Sequence, residues 1–156
     1  MCVSPSPEQL LDSTMRLAAE AAARGDPPFG ALLVSPQGEV VVRASNRQVS
    51  ADDPTAHAEL ELLRLAARDG YRPPLRGYRV VVNAEPCSMC ASALVKADVG
   101  ELLYGAPHEP HMEPDLPVTE VFARATTPPR VRAGVLASET AAQIAALRAA
   151  AGPPVD

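Results

Sequence analysis

The chain has 156 residues, 47% of them apolar, three cysteines and a net charge of −5. That length supports one domain, here 1–156, with a real core, and three cysteines make no disulfide framework, so a reducing, cytoplasmic home is expected. No apolar run approaches membrane-spanning length, the start Met1-Cys2-Val3-Ser4-Pro5 is not built like a secretory leader, and the acidic balance speaks against gripping nucleic acid through a basic surface.

In chain order, Ser6-Pro7-Glu8-Gln9 reads as an N-cap, a proline at the first helical position and a capping-box glutamine. The helix should run to about Arg24 and stop at Gly25. Phe29 to Val34 and Glu39 to Ala44 read as two strands of a hairpin turned at Pro36-Gln37-Gly38. Asn46 to Asp53 is a polar loop. Pro54 to about Asp69 carries Leu60, Leu63 and Ala67 at helical spacing, with Asp53 as its expected N-cap. Tyr78 to Asn83 reads as a buried strand, and Cys87 to about Ala97 as a helix. Glu101 to Ala106 is a strand, and Pro107 to Pro117 a loop rich in Pro, His and acid. Val118 to Ala125 should be a short helix and Arg130 to Val135 a last strand. Ser138 should cap a last, Ala-rich helix to Ala150, with order ending at Gly152-Pro153-Pro154. Strands alternating with helices imply an α/β fold: a largely parallel sheet with helices on both faces and an antiparallel hairpin at one edge.

Two stretches carry chemistry. Asp53-Pro54-Thr55-Ala56-His57-Ala58-Glu59 opens one helix, and Glu85-Pro86-Cys87-Ser88-Met89-Cys90 opens another. Cys87 and Cys90, three apart, put both sulfurs on one helix face, and a helix N-terminus favours the thiolate that binds metal. His57, Cys87 and Cys90 supply three zinc ligands with a fourth position open. Glu59, two residues after His57, does not share its helix face and is read as a proton carrier, not a ligand. Two rival readings exist. A strand followed by Cys-x-x-Cys also suits a thioredoxin-like redox pair, and a structural zinc would need a fourth ligand from Cys2, His108 or His111.

His57-x-Glu59 followed by Pro86-Cys87-x-x-Cys90 resembles the signature of the zinc-dependent cytidine/deoxycytidylate deaminase superfamily. The fuller strings are similar to the branch holding tRNA adenosine deaminases, guanine deaminases and fungal-type cytosine deaminases. The resemblance covers roughly Leu10 to Leu147. It departs at Asn83, where the family often has threonine. It implies a three-layer α/β/α sandwich with a five-stranded mixed sheet, one Zn2+ per chain, and a homodimer with the Ala91 to Val95 face as a candidate contact. It implies hydrolytic deamination of a heteroaromatic base, with Glu59 taking a proton from water and giving it to the departing amine. It also implies an Asn46 that bonds the base or ribose, although a turn Asn supporting its own backbone fits that position as well.

Backbone amides around Ala58 and Ser88 could hold a ring carbonyl or nitrogen. Phe29 is either a pocket wall or a core aromatic. Glu113 and Asp115, with His108, Glu109 and His111, lie in the loop where the family sets substrate choice; an acid there could accept from a purine N–H. Pro28-Phe29-Gly30-Ala31 is more like guanine deaminases than tRNA adenosine deaminases. The expected substrate is therefore a small base or nucleoside, guanine or a related aminopurine first and cytosine next. A nucleic-acid partner is not expected, because the 107–117 loop is acidic and the segment from Ala149 to Asp156 lacks basic and aromatic residues. A tRNA adenosine deaminase and a non-catalytic zinc-binding homologue are the alternatives, the latter disfavoured by the presence of Glu59.

Overall fold

The computed structural model describes residues 3–110 and 112–152. In chain order they form α1 (Pro7–Ala23), β1 (Gly30–Val34), β2 (Val40–Ser45), α2 (Ala58–Arg68), β3 (Arg79–Ala84), α3 (Ser88–Lys96), β4 (Glu101–Ala106), α4 (Val118–Phe122), β5 (Arg130–Arg132) and α5 (Ala137–Ala151). The capping box is in place: Ser6 Oγ accepts the Gln9 N–H at 3.2 Å and Gln9 Oε1 accepts the Ser6 N–H at 2.8 Å.

The five strands lie in the order β2-β1-β3-β4-β5. β1 pairs antiparallel with both β2 and β3, while β3–β4 and β4–β5 are parallel. The sheet is therefore five-stranded and mixed, as the resemblance implies, with two of its four pairings antiparallel. The expectation held for direction: β2, β3, β4 and β5 all run the same way. Only β1 opposes them, and it is inserted between β2 and β3, so the β2–α2–β3 crossover passes over it. The carboxyl ends of four strands and the start of β1 consequently share one edge of the sheet, the edge where ligands bind in open α/β sheets.

Period-2 alternation sorts the strand residues between two cores. Ala31, Leu33, Val80, Val82, Leu102 and Tyr104 face α2, α3 and α4. Leu32, Val34, Val81 and Leu103 face the other layer, with Leu10 and Leu11 of α1. A sheet covered on both faces needs apolar residues at every position of its central strands, which is why β1 and β3 read as continuous apolar runs.

Four boundaries differ from expectation, the first being the end of α4, at Phe122 and not Ala125. α2 begins at Ala58, not Pro54, because Asp53 caps a local turn: its Oδ1 accepts from the Thr55 N–H and hydroxyl at 2.8 and 2.7 Å. β5 ends at Arg132, before Gly134, whose φ of +79° leaves the extended region. α5 begins at Ala137 behind Leu136, a left-handed residue at φ +50°, not behind Ser138. Leu136 packs with Val135 against the α1-side core, and that packing overrides the better capping chemistry of serine. The expected end of order, Pro153-Pro154, lies outside the described residues.

The Ala91 to Val95 face is also divided. Ala91 and Leu94 are fully buried. Ser92, Val95 and Lys96 instead border a groove of about 390 Å³ with Leu116, Val121 and Arg124. Among the described residues no helix is long and apolar enough to cross a membrane.

Candidate active site

His57 and Cys87 stand at the N-caps of α2 and α3 with extended backbones, φ −68°, ψ 154° and φ −67°, ψ 169°. N-caps favour Ser, Thr, Asp or Asn, whose side chains satisfy first-turn N–H groups. Neither side chain here caps its helix. They turn toward each other across the edge of the sheet. His57 Nδ1 lies 3.5 Å from Cys87 Sγ and 3.6 Å from Cys90 Sγ.

That spacing tests the donor set against zinc. Bonds of about 2.3 Å to sulfur and about 2.05 Å to nitrogen, at tetrahedral angles, separate N from S by about 3.6 Å. The observed separations match, and all three ligand atoms lie within 4.8 Å of one another. Among the described residues no further His, Cys, Asp or Glu joins the group. His108 is committed elsewhere, its Nε2 2.6 Å from Asp115 Oδ1. Cys2 and His111 lie outside the described residues.

The electrostatics suit a cation. A hydrogen bond from the Cys90 thiol, opposed by burial and helped by His57, draws the Cys87 thiol down to about 4. Cys90, which holds that proton and is buried, is pushed up. The Cys87 sulfur raises His57 in turn. The two helix N-termini favour the thiolate forms of the sulfurs, and thiolates beside an imidazole are the donors a divalent cation takes in a His-Cys-Cys set.

Glu59, the second residue of α2, is 5% exposed. Burial pushes its carboxyl up, against a backbone hydrogen bond that pulls it down. It lines a cleft of about 50 Å³ together with His57, Cys87, Phe29 and Asn46. A larger hollow of about 330 Å³ lies at the opposite ends of the strands, among Arg76, Arg79, Glu101 and Arg130, and the metal-ligand group found among the described residues is not in it. The chemistry selects the small cleft.

The other expected residues divide. Asn46 is 1% exposed and lines the cleft, yet its Oδ1 accepts the Gln48 N–H at 2.8 Å and its Nδ2 donates to Gln48 Oε1 at 2.6 Å. Both ends of its amide thus serve its own turn. Ala58 and Ser88 are the first residues of α2 and α3, beside the cluster. Glu113 and Asp115 are exposed and do not line the cleft.

Ala84, Glu85 and Met112 complete the lining and were missed from the sequence. Met112 and Leu116 are the two large apolar residues of that polar loop, a signal that could have marked both; Met112 enters the cleft and Leu116 the groove beside α3. Glu85 is buried, and its oxygens accept the His108 N–H at 2.9 Å and the Val118 N–H at 3.0 Å. It staples both ends of the 107–117 loop. Tyr104 below it is pushed up to about 12 by burial and by the Glu85 charge.

Asp26 staples the other loop. Its side chain is fully buried against Arg24. Oδ1 accepts the Val49 and Ser50 N–H groups at 3.0 and 2.8 Å, and Oδ2 accepts from the Ser50 hydroxyl at 2.8 Å and Arg24 Nε at 3.2 Å. Burial raises this carboxyl, but the four hydrogen bonds outweigh it and hold the group below the usual carboxylate range. A depressed folded pKa stabilises above the unfolded pKa and ceases to do so as pH falls through the folded value. Asp26→Ala should therefore cost on the order of 3 kcal/mol at pH 7, a drop of roughly 6–12 °C in thermal midpoint. The gap to the parent chain should narrow as pH is lowered below about 4. Thermal melts at pH 7 and pH 3 check both parts.

The family model for the cytidine and deoxycytidylate deaminase zinc-binding region matches residues 5–106. The chain is 46% identical over 103 residues to a tRNA(Ile)-lysidine synthase of Thermus thermophilus, covering 65% of this chain but 19% of that protein. It spans only about a fifth or less of the first such relatives it matches. A tRNA-specific adenosine deaminase of Aquifex aeolicus is 35% identical over 104 residues, covering 67% of this chain and 68% of that one. A structure from work on A-to-I editing by tRNA:A34 deaminases superposes with TM-score 0.76 at 33% identity, over 86% of this chain and 97% of that one. A guanine deaminase structure from Nitrosomonas europaea gives TM-score 0.78 at 23% identity over 95% of this chain and 87% of that one, a likeness of fold.

Proposed function

The chain belongs to the cytidine and deoxycytidylate deaminase family, and from that premise we propose that it is a zinc-dependent hydrolytic deaminase of a small nucleobase or nucleoside, releasing ammonia. The observation that carries the reading is the three-ligand group of His57, Cys87 and Cys90 sharing one cleft with the buried Glu59. Zinc held there supplies Lewis-acid activation of water for attack on an amino-bearing ring carbon. The Glu59 carboxylate takes one proton from the attacking water and delivers it to the departing amino nitrogen, while the water's other proton ends on the neighbouring ring nitrogen; the cyclic amidine and water become a ring amide and ammonia. Phe29 walls the ring. Asn46, through the second Nδ2 hydrogen that its bond to Gln48 leaves over, and the amides of Ala58 and Ser88 are its polar contacts, while Glu113 and Asp115 belong to the outer rim.

Charge supports a small substrate. The chain carries −5 overall, and the 107–117 loop holds Glu109, Glu113 and Asp115 without a Lys or Arg. Arg148, near the loop, gives both its Nη1 bonds to Glu109. RNA binding draws most of its affinity from cations meeting phosphates, and this loop supplies none. The lean to guanine rests on Pro28-Phe29-Gly30-Ala31 and the acidic loop alone.

A second reading, a tRNA adenosine deaminase, is favoured by the likeness above 30% identity to proteins named for tRNA. Ammonia release measured side by side separates the two. Guanine, adenine, cytosine and their nucleosides are set against an anticodon stem-loop with a target adenosine. A free base or nucleoside should give the highest kcat/KM; a stem-loop that outpaces them all overturns the small-substrate reading in favour of the second. The reading includes a homodimer joined at the groove between α3 and α4, which light scattering on the same preparations would record as a doubled mass.

A further inference from the structure

We infer that Asn83 is a positioning residue whose side-chain amide holds Phe29 as a fixed wall of the pocket. This rests on the reading that the cleft beside His57 receives the ring of the substrate.

The β1–β3 ladder ends at the pair Ala31–Val82. One step further, Gly30 faces Asn83, and the main-chain pairing is replaced by a side chain. Asn83 Oδ1 accepts the Gly30 N–H at 3.0 Å, and its Nδ2 donates to the Pro28 carbonyl at 3.0 Å. Asn83 is fully buried, so both bonds are shielded from water. They bracket Phe29 on either side. A single planar amide with a donor and an acceptor can make this two-point grip, whereas a lone hydroxyl at the same position cannot span both groups.

The remaining freedom of Phe29 is also restricted. A Cβ at Gly30 would collide with the Thr14 carbonyl and the Leu17 side chain, so the backbone is pressed against α1 and cannot retreat that way. The Arg148 guanidinium stands 5.5 Å from the Phe29 ring centroid and is held by Glu109 at 2.8 and 3.0 Å. Phe29 lines the cleft and Arg148 does not. The ring is therefore backed from outside and pinned from below, which fixes one wall against which a planar substrate can be aligned.

The chain has only two phenylalanines, Phe29 and Phe122, so labelling with 4-fluorophenylalanine yields two 19F lines, assigned by Phe122→Leu. Phe122 lies in the core under α4 and serves as the internal control. In Asn83→Thr and Asn83→Leu the Phe29 line should shift or broaden while the Phe122 line stays; if the leucine variant does not fold, the threonine variant carries the test. KM for the best base should rise about tenfold with kcat little changed, the signature of lost alignment in binding rather than lost chemistry. In a Phe29→Leu background, Asn83→Thr should add no further rise in KM, because the residue acts through the ring. An unmoved Phe29 line, or KM effects that simply add, overturns the inference. Should the parent chain deaminate none of the substrates, the functional reading fails, and the fluorine spectra alone still decide whether Asn83 positions Phe29.

Discussion

Glu59→Gln is expected to keep one zinc per chain and an unchanged thermal midpoint while losing turnover by about 10² to 10⁴. Glutamine preserves the shape of a side chain that is 5% exposed, so the core of α2 has no reason to rearrange. What it removes is a carboxyl that can hold a proton. Burial raises that carboxyl, which brings it closer to the range where a group can both accept a proton and give it up. The obvious rival for the role is Glu85, two residues before Cys87 and lining the same cleft. Its two oxygens are already taken by the backbone N–H groups of His108 and Val118. Glu85→Gln should therefore loosen the 107–117 loop and lower stability more than it slows proton transfer. Metal analysis, thermal melts and single-turnover rates on both variants distinguish the roles. Substantial turnover in Glu59→Gln would pass the proton to Glu85 and remove Glu59 from the mechanism.

Local sequence rules failed at the site and also away from it, for different reasons. Asp53 and Ser138 are good N-cap residues, yet α2 and α5 start behind His57 and Leu136. Leu136 yields to core packing, an ordinary tertiary override. His57 and Cys87 are different: each occupies an N-cap and leaves the cap unmade, so the helix loses about 1 kcal/mol of local stability for a side chain aimed at the cluster. The metal motif was legible because its residues are close in sequence and of unmistakable type. The sheet order was less so, since nothing in the β1 residues says that β3 will pair on its far side. Asn83 read only as a departure from the family pattern, because its partners Pro28 and Gly30 are more than fifty residues away. Arg148 and Glu109 came together through the same long-range closure, thirty-nine residues apart, and a sequence window sees none of it.

Cys90→Ala is expected to bring zinc from one equivalent per chain to nearly none and to take turnover below detection, a loss of about 10⁴ or more if the metal supplies the water activation. Cys90 is fully buried on the first turn of α3, so alanine fits its place and packing alone should cost little. Two donors, His57 and Cys87, would remain, half of a tetrahedral set. Because metal that binds only the folded chain adds to its stability, the thermal midpoint should also fall, and added zinc should restore it less in the variant than in the parent. The pairing with Glu59→Gln is what separates a catalytic from a structural zinc. A structural site would lose stability in Cys90→Ala with no loss of turnover in Glu59→Gln, since four protein ligands leave no position for water. A catalytic site loses turnover in both and zinc in only one. If the metal-free protein deaminates at the full rate, the zinc mechanism is wrong and the Cys87–Cys90 pair returns to the redox reading.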